Sequence, residues 1–433
     1  MDITTIGFLC LAGMFVCMMM GVPIAYSLGF CGLLAGLLSL GGICLPKLGW
    51  TPFYFLYNLS WTPLPLFVLL GTVVAETTMG KDLFYSARCW LSRLPGGLAA
   101  AGIWGEAAIA SILGTSAATV ILVGKVAVPE FERYGYSRSL GLGALLAGGV
   151  LGPLIPPSAT MIVYSVLAEL SLGQLFMAGI VPGIILALML SATVVLICIF
   201  RPNFGPPAGK VSWLERISSL RKIWPVVLVM LSILGSIYLG IATPTEAAGC
   251  ACIIVIIIAV SVFGLRWDGL RRAMIEAVVI NSMIMLILVG ASFFTYMIGS
   301  ANVADYLYNV VEAFGLQPWQ VIISINIILL ILGCIIDPLT IVMLTVPIFV
   351  PIIVAVGFDP LWFGVIFVVN AQIGMITPPM GIDLFAIKTI FDIPTGSILR
   401  GVLPFLLVEI LFLAIIILFP QLSLWLPSTM VGR

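Results

Sequence analysis

The chain has 433 residues, of which 62% are hydrophobic and only 8% are charged. A soluble domain carries roughly 25% charged residues, so this composition excludes a chain that covers its surface with water-facing side chains. Eighteen basic and 18 acidic residues balance, which argues against a nucleic-acid-binding surface, and the absence of histidine argues against a histidine-based metal site, catalytic triad or proton relay.

Apolar stretches long enough to cross a hydrocarbon core of ~30 Å as helices recur along the whole chain, and they predict an all-α integral membrane protein. Residues 1–20 lack a basic leader and a small-residue cleavage site, which indicates a retained span. Residues 81–93 alternate charged and aromatic side chains at helical spacing, typical of a helix along the membrane interface. In residues 1–200 the predicted elements are spans over 4–20, 22–42 and 62–79, a hairpin over 98–134, a broken helix over 138–168 and a span over 174–200.

A polar segment over 201–222 follows, and we expect it to be a cytoplasmic linker. Its proline- and glycine-rich opening ends the preceding helix, and its basic residues favour the cytoplasmic membrane surface. In residues 223–433 the predicted elements are spans over 224–240, 244–264 and 281–299, a hairpin over 320–356, a broken helix over 360–390 and a span over 398–419.

The glycines and prolines of the first half recur in the second half at nearly constant spacing. Because each of these residue types marks a special backbone conformation, such matches mean more than matches between apolar residues. Each half contains five spans, an odd number, so the second half would enter the membrane from the opposite face as an inverted-topology repeat. The matched pairs include Pro129/Pro351, Gly135/Gly357, Gly152/Gly374, Pro156/Pro378, Pro157/Pro379, Gly179/Gly401 and Pro182/Pro404 at an offset of 222, and Gly21/Gly240, Gly71/Gly290 and Gly80/Gly299 at an offset of 219.

The basic residues support this topology. With the N-terminus outside, 16 of the 18 basic residues fall on the cytoplasmic side, and only Lys47 and Arg433 fall outside. The same order of spans places the base of the first hairpin at the cytoplasm. It places the base of the second hairpin at the outer face, where Asp305, Glu312 and Asp359 lie.

Four motifs interrupt helices inside the membrane: GTSAAT (114–119), GPLIPPS (152–158), IDPLT (336–340) and GMITPPMG (374–381). Broken backbone at this depth is tolerated only where it is buried in protein or lines a cavity. The freed carbonyls and the hydroxyls of Ser116, Ser158, Thr340 and Thr377 are oxygen ligands suited to Na⁺, and half-helix N-termini favour an anionic substrate group. The alternative is that these motifs are kinks satisfied by neighbouring helices.

Acidic residues within the membrane are functional candidates by default, and Asp337 and Asp383 rank first because they flank the second hairpin tip and the second helix break. Glu246 has capping-box spacing to Thr243, which favours a structural role. For Glu76, Glu106 and Glu409, packing, neutral protonation and proton coupling all remain open. The chain contains no GxxxxGK[ST] motif, and the sequence predicts a protein that is not an enzyme.

Together with ATPTEAA (242–248), GMITPPMGIDLF (374–385) and FPQLSLWLP (419–427), these motifs resemble the large membrane subunit, of the DctM or SiaM type, of TRAP (tripartite ATP-independent periplasmic) transporters. The resemblance covers essentially the whole chain. It implies an elevator-type, Na⁺-driven importer of C4-dicarboxylates, sialic acids or related carboxylates in the bacterial inner membrane. It also implies two partners, a small four-helix membrane subunit and a periplasmic substrate-binding protein.

Carried over by motif, the resemblance assigns two Na⁺ sites. Other residues in and beside the same motifs are predicted to be substrate-binding candidates. This sequence departs from the family pattern at two positions. Residue 383 is Asp, where similar sequences often have Asn, and residue 337 places a carboxylate at the second hairpin tip. One alternative is a stand-alone cation-coupled organic-anion transporter, and another is a channel or membrane scaffold. The Na⁺ candidates are Thr115, Ser116, Gly152, Ile155 and Ser158 in one site and Asp337, Thr340, Gly374, Thr377 and Met380 in the other, and the substrate candidates are Gly114, Thr119, Pro156, Pro157, Pro378, Pro379 and Asp383.

Overall fold

The computed structural model describes residues 3–114, 116–207, 209, 211–378, 381–391 and 395–431. In these ranges the regular secondary structure is entirely helical. Seven helices are long and apolar enough to cross a membrane, or eight if the bent pair Cys44–Leu56 and Leu59–Ala75 counts as one span. The fold is therefore that of an all-helical membrane protein, as the composition predicts.

The first half follows the predicted order of elements, with two differences. A helix over Cys44–Leu56 was not predicted, and the span expected over 62–79 ends at Ala75. It ends there because the Thr77 hydroxyl bonds the carbonyl of Val74 and accepts the N–H of Met79, which gives the backbone an alternative to the helix. The helices are α1 (Ile3–Met19), α2 (Ile24–Leu40), α3 (Cys44–Leu56), α4 (Pro63–Ala75), α5 (Met79–Leu91), α6 (Gly97–Leu113), α7 (Ser116–Arg133), α8 (Arg138–Gly149), α9 (Leu151–Leu154), α10 (Ala159–Leu167) and α11 (Leu172–Phe200).

In the second half two helices begin well before the predicted positions. The span expected over 224–240 begins at Trp213, where the Ser212 hydroxyl caps it, so its first turns lie in the polar segment expected to be a linker. The span expected over 281–299 begins at Trp267. Hydropathy detects only the apolar part of such helices, not their polar first turns. The helices are α12 (Trp213–Met230), α13 (Ser236–Tyr238), α14 (Pro244–Ser261), α15 (Trp267–Ser300), α16 (Val303–Ala313), α17 (Pro318–Gly333), α18 (Pro338–Ala355), α19 (Pro360–Met375), α20 (Ile382–Ile390), α21 (Thr395–Leu418) and α22 (Gln421–Ser428).

The helix lengths support seven or eight full spans, fewer than the ten predicted. Helices α1 and α2 have 17 residues each, and at 1.5 Å per residue each is roughly 26 Å long. The seven include α18, which was predicted as one arm of the second hairpin.

Charged side chains join several helix ends at one end of the bundle. Arg272, near the beginning of α15, donates to Glu76, just after α4, with Nη2 2.6 Å from Oε2 and Nε 3.2 Å from Oε1. The N–H of Gly96 donates to the carbonyl of Gly205, which brings the beginning of α6 to the end of α11. Further contacts at this end join Arg88 to Glu130, Arg138 to Glu132 and Tyr85 to Glu215. The first hairpin, α6 and α7, therefore opens at this basic end.

The second hairpin, α17 and α18, opens at the other end. Trp319 at the beginning of α17 packs against Phe358 just after α18, with ring centroids 5.2 Å apart. The hydroxyl of Tyr164 in α10 donates to the carbonyl of Pro360, the first residue of α19, at 2.8 Å. Three acidic residues lie near these helix ends in the chain. Asp305 and Glu312 lie in α16, which precedes α17, and Asp359 lies between α18 and α19.

Glycines let helices approach closely at two long interfaces. A Cβ atom added to Gly290 of α15 would lie 2.2 Å from the carbonyl oxygen of Ala25 in α2. A Cβ added to Gly143 of α8 would lie 2.2 Å from the carbonyl oxygen of Gly401 in α21. Small residues at such contacts allow backbones to pack without a side chain between them, which is how helices commonly associate in membranes.

Candidate functional site

The tip of the first hairpin lies against the first helix break. Gly114 ends α6 in the left-handed region (φ 67°), and a Cβ there would lie 2.9 Å from the carbonyl oxygen of Pro157. The break itself runs from Ile155, which is extended, to Ser158, whose hydroxyl accepts the N–H of Met161 at 3.3 Å and so begins α10. The helix interruption predicted at GPLIPPS is confirmed.

The second hairpin meets the second helix break in the same way. A Cβ added to Gly374 would lie 2.3 Å from the carbonyl carbon of Gly333, so the end of α17 and the end of α19 touch backbone to backbone. The helix ends at Met375, and the next helix begins at Ile382. The Thr377 hydroxyl donates to the carbonyl of Ile373 at 2.6 Å, which leaves its oxygen lone pairs available to a further partner.

Asp337 begins the helix that follows the second hairpin tip. Its carboxylate accepts the N–H of Thr340 at 3.1 Å and also the Thr340 hydroxyl. Capping of a helix N-terminus by Asp is a common structural role, and it accounts for both carboxylate oxygens. A cation bound by Asp337 would have to share these carboxylate oxygens with the N-terminus of α18.

Asp383 connects the two halves of the chain. The hydroxyl of Ser116, the first residue of α7, donates to Asp383 Oδ2 at 2.8 Å across 267 positions. Asp383 is fully buried, and no described residue hydrogen-bonds to its Oδ1. The sequence pattern associates Asp383 with the second helix break, whereas the structure places its carboxylate at the first hairpin tip.

Glu106 of α6 is a second buried acid near this point. Its side chain is fully buried, and neither carboxylate oxygen has a hydrogen-bond partner in the described ranges. A Cβ on Gly148 would lie 2.9 Å from Glu106 Cγ, and a Cβ on Gly149 would lie 3.9 Å from Asp383 Oδ2. The two acids therefore approach neighbouring glycines of α8. A buried carboxyl group without a partner carries a proton or faces a cation.

Each hairpin also contacts the other half. The second arm of the first hairpin, α7, packs against α20, the half-helix after the second break. The second arm of the second hairpin, α18, packs against α10, the half-helix after the first break. The two hairpin tips and the two breaks thus belong to one packed assembly, which the Ser116–Asp383 hydrogen bond crosses.

Buried amides are functional candidates that the sequence reasoning missed. Asn370 of α19 donates to the side-chain oxygen of Asn326 in α17 at 2.7 Å and to its backbone carbonyl at 2.9 Å. Gln372 is 1% exposed, and within the described residues neither end of its amide has a partner. The available signal was two amides in an otherwise apolar stretch directly before the second break.

The other acids divide into structural and unexplained ones. Glu76 pairs with Arg272, as described above, and so has an electrostatic partner. Glu246 accepts the N–H of Thr243 at 2.8 Å and donates its own N–H to the Thr243 hydroxyl, which confirms the predicted capping box. Glu409 of α21 is fully buried, and no described residue hydrogen-bonds to either of its carboxylate oxygens.

The remaining candidates among the described residues lie in α7, in α9 and next to the two breaks. Gly152, Pro156, Pro157 and Thr119 are buried, Ile155 is half-buried and Pro378 is exposed. Thr115, Pro379 and Met380, also candidates, lie outside the described residues.

Comparison with known proteins decides the family. Residues 11–422 match the family described as "Tripartite ATP-independent periplasmic transporter, DctM component". The chain belongs to this family. It is 36% identical over 366 residues to the C4-dicarboxylate TRAP transporter large permease protein DctM of Pseudomonas aeruginosa. The matched region covers 84% of this chain and 85% of that protein. It is 30% identical over 376 residues to the sialic acid TRAP transporter large permease protein SiaM of Vibrio cholerae, which covers 87% of this chain and 88% of that protein.

A solved structure supports the fold of this DctM-family chain. The YdaH transporter of Alcanivorax borkumensis matches with a TM-score of 0.56 over 86% of this chain and 88% of that one, at 14% sequence identity. This likeness shows a shared fold, whereas the family match and the two relatives confirm the resemblance drawn from the sequence motifs.

Proposed function

We propose that this permease imports a small carboxylate together with Na⁺. The observation that carries the proposal is the hydrogen bond from Ser116 to Asp383, which joins the first hairpin tip to the half-helix after the second break. Two relatives are named for C4-dicarboxylates and for sialic acid, and both kinds of substrate carry a carboxylate.

The chemistry of the two hairpin tips suits Na⁺. At the first tip, the Ser116 hydroxyl and Asp383 Oδ1, which accepts no hydrogen bond from any described residue, offer oxygen ligands in a buried setting. At the second tip, the hydroxyls of Thr340 and Thr377 retain lone pairs. Hard cations take oxygen ligands from carboxylates, hydroxyls and carbonyls, and helix breaks expose the carbonyls. A cation at the first tip would also compensate the charge of Asp383.

The proposed architecture is a pair of inverted repeats, residues 1–200 and 223–433, joined by the segment 201–222. Three observations support it. The two hairpins open at opposite ends of the bundle, each tip touches a helix break, and each hairpin packs against the half-helix of the other half. The basic end would face the cytoplasm, which puts the N-terminus in the periplasm.

Two partners complete the proposed transporter, a small four-helix membrane subunit and a periplasmic substrate-binding protein, in the bacterial inner membrane. The family description, tripartite and periplasmic, supports both. Uptake into proteoliposomes that contain both membrane subunits tests this directly. Uptake that proceeds equally without the binding protein would favour the stand-alone organic-anion transporter. Flux that neither saturates with substrate nor depends on a Na⁺ gradient would favour a channel.

Hydroxyl substitutions test the Na⁺ sites. Ser116→Ala and Thr377→Ala each remove one oxygen ligand, so each should raise the Na⁺ concentration needed for half-maximal uptake while the protein remains folded. Ser191→Ala is a matched control, because the Ser191 hydroxyl donates to the carbonyl of Ala187 at 2.8 Å, as Thr377 does to Ile373, but lies in α11 away from both breaks. A Na⁺ dependence unchanged in both site variants would remove these residues from the cation sites.

The elevator motion is tested by cross-linking. The hairpins and broken helices should move as one body against the spans over 4–42 and 224–264. Helices α6 and α12 touch across this boundary, so a cysteine pair that links them should block uptake. A pair that links α7 to α20, within the proposed moving body, should leave uptake intact. Full uptake with α6 linked to α12 would contradict the motion.

A further inference from the structure

A cavity of about 480 Å³ lies at the basic end, away from both hairpin tips, between α8, α11 and α21. Two arginines line it, Arg201 directly after α11 and Arg400 in the second turn of α21. Neither guanidinium forms an ion pair within the residues that the structure describes. Arg201 begins the segment that joins the two halves and Arg400 lies in the second half, so no local pattern brings them together.

The rest of the cavity wall is mainly apolar and follows two helix faces. On α11 the lining residues Leu196 and Phe200 are four apart, and on α21 Pro404 and Val408 are also four apart. Residues four apart in a helix lie on the same face. From position 193 to position 201 the groove extends for roughly 12 Å at 1.5 Å per residue. Its charged end is therefore at the membrane surface, and its apolar end reaches into the bilayer.

The backbone at the charged end is held by a hydrogen bond on one wall and by close packing on the other. After α11 the chain turns through Pro202–Phe204, and the Phe204 carbonyl accepts the N–H of Ser137 at 2.9 Å. The guanidinium of Arg201 lies over the Phe204 ring, 5.4 Å from its centroid. On the opposite wall, the close approach of Gly401 to α8 fixes the first turns of α21. The two arginines are thus presented by backbone that is hydrogen-bonded or closely packed.

We infer that this cavity binds one anionic phospholipid, with its phosphate between Arg201 and Arg400 and an acyl chain along the α11–α21 groove. Two guanidinium groups that have no ion-pair partner among the described residues attract a phosphate, which Arg recognises through paired N–H donors. The apolar walls match hydrocarbon and exclude a free polar ligand from most of the cavity. Basic pockets between helices at the cytoplasmic side of a membrane protein are suited to lipid headgroups.

Native mass spectrometry of the purified full-length protein tests the site. The probes are dioleoylphosphatidylglycerol, which is anionic, and dioleoylphosphatidylcholine, which has the same chains and no net charge. Each basic residue near an anionic lipid contributes about 1 kcal/mol, so replacing both arginines with glutamine should weaken phosphatidylglycerol retention roughly 30-fold. Arg221→Gln/Arg271→Gln is the matched control, since it removes equal charge from exposed positions outside the cavity.

Two further arms separate the headgroup from the chain. Val408→Trp fills the apolar end of the cavity without changing its charge, so it should also reduce phosphatidylglycerol retention. This variant tests lipid binding in the cavity even if the double arginine variant fails to fold. Inorganic phosphate at millimolar concentration should not displace the lipid. Displacement by phosphate, equal retention of the two lipids by the wild type, or wild-type retention in the double arginine variant would each overturn the inference.

Discussion

The contact between Gly333 and Gly374 predicts that replacing a glycine with alanine destabilises the protein by an amount that depends on the position. A Cβ on Gly374 would lie 2.3 Å from the carbonyl carbon of Gly333 and 2.4 Å from its Cα. Carbon atoms in contact are normally 3.5–4.0 Å apart, so Gly374→Ala requires α17 and α19 to separate by about 1 Å. The obstacle is backbone, which has no alternative rotamer. Overpacking of this kind costs about 1–3 kcal/mol, and we expect the upper end of that range.

Two other glycines complete the series. A Cβ on Gly333 would lie 3.0 Å from Gly374 Cα and 3.2 Å from the carbonyl oxygen of Ala371, so Gly333→Ala should cost less, about 1 kcal/mol. A Cβ on Gly249 in α14 would meet nothing within 4 Å. Gly249→Ala should therefore be neutral or stabilise the helix by up to about 1 kcal/mol. The expected order of stability is Gly249→Ala, wild type, Gly333→Ala and then Gly374→Ala.

Thermal unfolding in detergent, followed by intrinsic tryptophan fluorescence, measures this order, and uptake in proteoliposomes measures its effect on transport. Gly374→Ala should lose most uptake, because the second hairpin tip and the second helix break no longer meet. Gly249→Ala should retain uptake and controls for the substitution itself. Wild-type stability and uptake in Gly374→Ala would show that α17 and α19 do not touch in the working protein.

Three further predictions concern polar contacts. In a double-mutant cycle followed by thermal unfolding, Ser116→Ala and Asp383→Ala should show a coupling energy of about 1–2 kcal/mol, because their hydrogen bond has a buried carboxylate as acceptor. A coupling energy near zero would argue against this hydrogen bond. Glu76→Gln should change stability by less than about 1 kcal/mol, since the side chain of its partner Arg272 is 64% exposed, and a larger loss in unfolding experiments would mean that the pair is buried by a partner. Thr243→Ala should cost about 1 kcal/mol of unfolding free energy through loss of the capping box, whereas Thr243→Ser should retain it, and equal losses in the two variants would contradict a capping role.

The features predictable from sequence are those that depend on neighbouring residues in the chain. Hydropathy locates most of the helices, because a backbone inside lipid must satisfy its hydrogen bonds within its own segment. Proline and glycine mark the breaks that follow Leu154 and Met375, because proline removes a helical hydrogen bond and glycine readily adopts non-helical backbone conformations. The capping box of Thr243 and Glu246 spans three residues and is equally local.

The tertiary structure alone decided which of these local features meet. Asp383 follows the second break in sequence, yet its carboxylate receives the hydroxyl of Ser116 from the first hairpin, because α20 packs against α7. The contact of Asn326 with Asn370 depends in the same way on how helices cross. Such partners are set by shape and close packing between helices distant in sequence, and no periodicity along one helix records which surface of another it will touch.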